Sequence, residues 1–174
     1  MVREYPLIES RIAGVKGKLM LDTGIDQALA VNDHRVPLPP GQPIGTGHFG
    51  SGQSFPMRLS TSVPDVQVAH LQFPKVTHVQ TKDATQLEHI TPDFVGWLGY
   101  YFWQGYAMKV DYARSQATFY KGSPEAYLAG EKVIGIIPFE VSKLPNHPLV
   151  HVRIGGMEAR AAFDTGQYGD GLHG

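Results

Sequence analysis

Asp22-Thr23-Gly24 and Asp164-Thr165-Gly166 are the residues in this chain whose types and spacing can do chemistry. Two carboxyl groups brought within a few ångströms cannot both ionise easily. One keeps a proton, the other stays charged, and the titrations belong to the pair. A pair of this kind is an acid and a base in one site. A water held between them can lose a proton to the charged member while the neutral member donates to a carbonyl, and the outcome is amide hydrolysis without a covalent intermediate. A lone Asp-Thr-Gly triplet is weak, since composition alone puts one in a chain this long on the order of a few per cent of the time.

The elements leading into the triplets make the pair far less accidental. Aligned at an offset of 142, Pro6, Leu7, Arg11, Ile12 and Gly14 match Pro148, Leu149, Arg153, Ile154 and Gly156 without a gap. Similar residues also coincide: Ile8 with Val150, Lys18 with Arg160, and Leu21 with Phe163. Such self-similarity says that one structural unit is used twice. Each copy reads as strand, tight turn, strand, acid. Residues 7–12 and 149–154 are strand-like, Ala13-Gly14 and Gly155-Gly156 suit two-residue hairpin turns, and the apolar runs Leu19-Met20-Leu21 and Ala161-Ala162-Phe163 end at the carboxylates. Gly24 and Gly166 leave the backbone free to bend and to approach another segment closely.

Asp22-Thr23-Gly24, the later Trp97-Leu98-Gly99 and the strand pair spanning residues 107–120 together resemble a retropepsin-like aspartic protease. The resemblance covers most of residues 5–120. It implies an all-β acid-protease barrel, with Asp22 and Asp164 catalytic and with Trp97, Leu98 and Gly99 passing beside the first triplet to complete an active-site loop. It places a flexible flap in the glycine-dense segment 44–52, with Gly47, His48, Phe49 and Gly50 at or near its tip. It also implies that the Thr23 and Thr165 hydroxyls bond across a lobe interface and that the Gly24 and Gly166 amides support the carboxylates. The partner it implies is a peptide or protein substrate. Asp22 meets either Asp164 of a second lobe in the same chain or its mate in a homodimer, and the internal repeat favours the former. Ile25 and Gln167 stand where the family has a small residue, and Tyr100-Tyr101-Phe102-Trp103 is more aromatic than the family's short helix. Eight residues follow Gly166, so the second lobe is expected to be incomplete here.

Other chemistries fare poorly. Gly45-Thr46-Gly47-His48-Phe49-Gly50 matches a dinucleotide fingerprint in letters, but a proline-rich loop precedes it and no helix follows to aim amides at a pyrophosphate. Phe49 occupies the position where a nucleophile elbow around Ser51 needs glycine. Eight histidines show no close ligand spacing. His147 and His151, four apart on a strand, lie about 13 Å from one another. No metal or cofactor is therefore expected. With a net charge of −1 and no Lys/Arg run, nucleic acid is not an expected partner. The absence of cysteine removes disulfides and thiolate chemistry. No apolar run reaches transmembrane length and the first residues lack a signal-peptide core, so a soluble chain is expected, with its compartment left open.

Dense Gly and Pro punctuation and scarce helical periodicity predict a mainly β chain. Strands are expected at 55–60, 66–73, 76–80, 107–111, 117–120 and 132–139. Short helices are expected at 100–104 and 124–129, the latter with Ser123 as N-cap and Pro124 in the first turn. The aromatic cluster of Trp97, Tyr100, Tyr101, Phe102, Trp103 and Tyr106 is read as barrel filling. The expected organisation is a retropepsin-like lobe over 1–129 and the opening of a second over 130–174. The expected activity is aspartic endopeptidase. The alternative is a non-catalytic peptide-binding or scaffolding module of the same fold.

Overall fold

The computed structural model describes residues 5–49, 52–141 and 146–167. It is all-β and contains a closed six-strand barrel. Strands β1 (Leu7–Ile12), β2 (Val15–Asp22), β3 (Leu29–Asn32), β4 (Gln42–His48), β5 (Ser54–Val68), β6 (Leu71–Lys82) and β7 (Phe94–Gly99) form one sheet in the order β1-β2-β7-β3-β6-β5-β4. Pairing of β1 with β5 closes it, through Ser10 with Val68 and Ile12 with Val66, and leaves β4 outside the ring. Two hairpins stand apart from this sheet: β8 (Ala107–Asp111) with β9 (Gln116–Tyr120), and β10 (Leu149–Ile154) with β11 (Met157–Ala162). Among the described residues, no helix is long and apolar enough to cross a membrane.

Consecutive apolar residues in the central strands follow from burial on both faces. Leu19 and Leu21 of β2 join Val31, Val66, Val95 and Leu98 in the barrel interior. Met20, between them, points the other way into a second cluster with Ala30, Phe94 and Trp97, as a period of two requires. Asp22 shares the parity of Met20, so it emerges on the side of this second cluster, against which Ile25 and Phe49 also pack.

Strand β5 is long because one of its edges pairs with β6 while the other serves two partners in turn. Its first half pairs with β4 as an outlying hairpin and its last residues close the barrel on β1. The expected strand 66–73 instead straddles the turn between β5 and β6, and the expected 76–80 belongs to a longer β6. Asp65 and His78 adopt left-handed φ of 47° and 55° and interrupt the pairing without shifting its register, so they are local twists in the strand pair and not bulges.

Three further expectations are corrected. Residues 132–139 form no strand. Ile134 and Ile136 are 94% and 84% exposed, and no neighbouring strand takes up their backbone groups. Helix α1 (Pro124–Leu128) forms with Ser123 at its N-cap position and Pro124 in its first turn as expected, although the Ser123 hydroxyl bonds the Glu125 carboxylate and not the helix backbone. The aromatic cluster divides: Trp97 and Trp103 are buried and Tyr100 and Phe102 pack on the core, whereas Tyr101 and Tyr106 are exposed. The segment after Gly99 is a single 3-10 turn, Tyr100–Phe102.

Candidate active site

The repeat in the sequence is a repeat in register. Strands β1 and β2 pair from Leu7–Met20 to Ile12–Val15, and β10 and β11 pair from Leu149–Ala162 to Ile154–Met157, the same pairs shifted by 142. Both turns use two residues at positive φ, 48° and 83° for Ala13 and Gly14, 57° and 87° for Gly155 and Gly156. That is the type I′ geometry, whose twist matches the flanking strands.

The strands deliver the triplets to one another. The Thr23 amide donates to Thr165 Oγ1 at 3.1 Å, and the Thr165 amide donates to Thr23 Oγ1 at 3.2 Å. Each hydroxyl also donates across the interface, Thr23 Oγ1 to the Phe163 carbonyl at 3.0 Å and Thr165 Oγ1 to the Leu21 carbonyl at 2.9 Å. These four bonds form a reciprocal lock. A threonine hydroxyl suits it because one oxygen can accept and donate at once.

Within each triplet the glycine amide donates to its own aspartate, Gly24 to Asp22 Oδ1 at 2.6 Å and Gly166 to Asp164 Oδ1 at 2.8 Å. The glycines are required by close approach. A Cβ on Gly24 would lie 2.5 Å from Asp164 Oδ2, and one on Gly166 would lie 2.3 Å from Asp22 Cγ. Neither adopts a left-handed φ, so the expected sharp bend is not their role. Each carboxylate thus sits over the other triplet's backbone.

The two acids do not share one environment. Asp22 is buried at the end of β2, whereas Asp164 is half-buried. Burial, followed by repulsion from Asp164, pushes the Asp22 pKa up to about 7, against the Gly24 amide and the more distant Lys82 cation, which lower it. The carboxyl pair therefore keeps a proton near neutrality, and burial favours its place on Asp22.

Trp97-Leu98-Gly99 lies beside the first triplet. Strand β7 runs parallel to β2 with Leu21 opposite Leu98 and Asp22 opposite Gly99. A Cβ on Gly99 would lie 2.0 Å from the Gln27 carbonyl and 2.6 Å from Ile25 Cγ1, so this glycine lets the chain after the triplet fold back over β7. Ile25 thereby packs against the second core cluster.

The glycine-dense segment is the β4–β5 hairpin, with Phe49, Gly52 and Gln53 hydrogen-bonded to one another near its tip. Phe49 turns inward and its ring lies 4.3 Å from that of Phe55. His48 turns outward, exposed, with Nδ1 3.2 Å from Ser54 Oγ. The Phe55 ring also explains Gly47, where a Cβ would come within 2.5 Å of it. Gly50 lies outside the described residues.

Three residues near the triplets give no signal in the sequence. Asn146 Nδ2 donates to the Thr23 carbonyl at 3.1 Å, and His147 Nε2 lies 2.8 Å from the Gly24 carbonyl, so the segment entering β10 holds the first triplet from behind. Lys82, at the end of β6, is buried with its Nζ over the rings of Trp97, Phe55 and Phe49. A lone Thr-Lys-Asp reads as the solvated end of a strand, and only the assembled barrel brings these rings to it. Two surface grooves, one around Glu9, Arg11 and Lys16 and one around Pro39, Pro40 and Arg58, do not include the triplets. The apposed carboxylates and their threonine lock carry the chemical argument, because concavity alone supplies no reacting group. Comparison with protein-family models and with curated proteins finds no match to this chain.

Proposed function

We propose that this chain is a retropepsin-like aspartic endopeptidase whose two catalytic carboxylates, Asp22 and Asp164, come from one polypeptide. The observation that carries the reading is the reciprocal threonine lock, four hydrogen bonds between residues 140 to 144 apart that hold the two acids face to face. Pairing in cis is favoured over a homodimer because Asp164 already fills the place that a second copy's Asp22 would take.

Asp22, protonated near neutrality, donates to the carbonyl oxygen of the scissile peptide. Asp164 takes a proton from a water as its oxygen bonds to the carbonyl carbon. The tetrahedral diol then collapses. The carbon–nitrogen bond breaks, the amine leaves with the proton from Asp164, one diol hydroxyl returns its proton to Asp22, and the carboxyl product departs. The β4–β5 hairpin, with Phe49 turned inward, would cover the peptide and exclude water.

The test is cleavage of a random peptide library between pH 4 and pH 8, with and without a statine-based transition-state analogue, beside Asp22→Asn. Inhibitor-sensitive cleavage that falls by about 10²–10⁴-fold in Asp22→Asn is the expected result. Cleavage that survives the substitution would sink the reading.

A further inference from the structure

Lys82 is 6% exposed, in a position where a charged side chain is costly without a counterion. Its Nζ lies 4.1 Å from the Trp97 ring centre, 4.6 Å from that of Phe55 and 5.5 Å from that of Phe49. Aromatic faces attract a cation but offer its N–H groups no oxygen. Among the described residues no hydrogen bond to this ammonium forms, and no carboxylate reaches ion-pair distance. The ammonium therefore has no protein oxygen as acceptor, and its nitrogen keeps some access to solvent.

The location gives this a direction. Trp97 belongs to β7, two residues before Gly99, which pairs with Asp22. Phe55 and Phe49 belong to the hairpin that overhangs the same face of the sheet. Lys82 therefore stands between the hairpin and the carboxylate pair, where an extended peptide bound to the dyad would run. Of the three rings, Phe49 is the farthest from Nζ and sits at the hairpin tip, so it is the one an entering side chain can displace.

Building on the endopeptidase reading, we propose that Lys82 forms the floor of a subsite that takes an acidic side chain, Asp or Glu, of the substrate peptide. The carboxylate would supply oxygen acceptors that the protein itself does not, and the flanking Trp97 and Phe55 rings would keep water from the pair, which strengthens it. Lys82 remains a cation at neutral pH: burial lowers its pKa to about 8, and the charges of Asp22 and Asp26 oppose that fall.

The test uses position-scanned octapeptide mixtures in which Glu is fixed at each position in turn, against matched mixtures with Gln. Cleavage is followed with the wild type, Lys82→Met and Lys82→Arg, and binding with Asp22→Asn alone and combined with Lys82→Met, by Trp fluorescence. The wild type is expected to favour Glu at one position by about tenfold or more, through KM. Lys82→Met should bring that ratio to near one, and Lys82→Arg should keep it. Circular dichroism checks that the variants fold, and Lys82→Gln replaces Lys82→Met if that variant does not. Cleavage with no Glu preference at any position, or a preference that survives Lys82→Met, overturns the subsite and leaves the endopeptidase reading intact. A uniform shift of the pH profile for all peptides does the same, because it makes Lys82 only a countercharge to the dyad. If nothing is cleaved, the endopeptidase reading falls, and binding decides the subsite: Lys82-dependent preference for Glu sustains it, equal or absent binding overturns it.

Discussion

The hairpins β1–β2 and β10–β11 are built from corresponding residues, close with the same turn geometry and pair in the same register, yet one is core and the other is surface. Leu19, Met20 and Leu21 are at most 1% exposed, while Phe163, the counterpart of Leu21, is 59% exposed. The shared part is local: turn conformation, alternation and strand length. The differing part is what packs around it. Strands β5 and β7 flank the first hairpin, and no described strand does the same for the second. The comparison explains why two copies of one triplet place their acids in unequal surroundings. Asp22 is desolvated by the barrel, and Asp164 reaches it from a hairpin that is largely in water.

The largest effect that would break this comparison is on stability at matched positions. Leu21→Ala removes a fully buried side chain that the barrel cannot collapse around and should cost about 2–5 kcal/mol. Phe163→Ala removes a larger side chain that is mostly solvated, and should cost less than about 1 kcal/mol. Urea unfolding of the two variants gives both numbers. Equal losses would mean that the second hairpin is as buried in solution as the first.

A second test reads the acids themselves. The Asp22 pKa rises from 3.8 to about 7 on folding. The unfolded chain thus gives up this proton near pH 4 while the native state keeps it to near pH 7, so the native state binds more protons between those limits. Stability from this group is fully present below about pH 4 and is lost as the pH rises toward 7, by an amount on the order of a few kcal/mol. Asp22→Asn has no such proton to lose, and it should be more stable than wild type at pH 7 with a flatter dependence on pH. Asp164→Asn removes the repulsion but leaves burial, the larger cause, so it should flatten the slope only in part. Thermal melts at intervals from pH 4 to pH 7.5 check both.

The same division between local and assembled features decides what the sequence reveals. The triplets and both repeated hairpins are legible because repeats, turn residues and apolar runs carry them, whereas the β4–β5 hairpin and the place of Trp97-Leu98-Gly99 beside Asp22 are legible only through the family resemblance. The left-handed turns of the backbone at Asp65 and His78 are not legible, since they answer to the curvature needed to bring β5 onto β1. The apolar run from Val133 to Ile137 reads as a strand by composition and fails to be one, because a strand exists only through its neighbours. Lys82, Asn146 and His147 are invisible for a related reason: their surroundings come from segments far away in the chain, and a single residue type records none of that.

A smaller effect concerns the lock that joins the two regions. Thr165→Val keeps the shape and deletes the oxygen that accepts from the Thr23 amide and donates to the Leu21 carbonyl. It should cost about 1–2 kcal/mol, drawn from the interface and not from either hairpin. Amide exchange should then speed up at Thr23 and Thr165 while the pairs within β10–β11 keep their protection. Uniform loss of protection across the hairpin would show that the lock also holds its strands together.

The smallest expected effect tests the local half of the comparison. Gly14 and Gly156 occupy the second turn position at φ of 83° and 87°, and a Cβ added to either meets no atom within 4 Å. Replacing either with Ala therefore adds left-handed strain of about 1 kcal/mol and no clash. Burial differs greatly between the hairpins, but this cost does not depend on burial. Gly14→Ala and Gly156→Ala should weaken their own turns equally, read as matched increases in the exchange of the Val15 and Met157 amides that follow each turn. A clear inequality would mean that the barrel, by gripping β1 and β2, supports the first turn against a strain that the second must bear alone, and that even the turn geometry is not a purely local property of the repeated sequence.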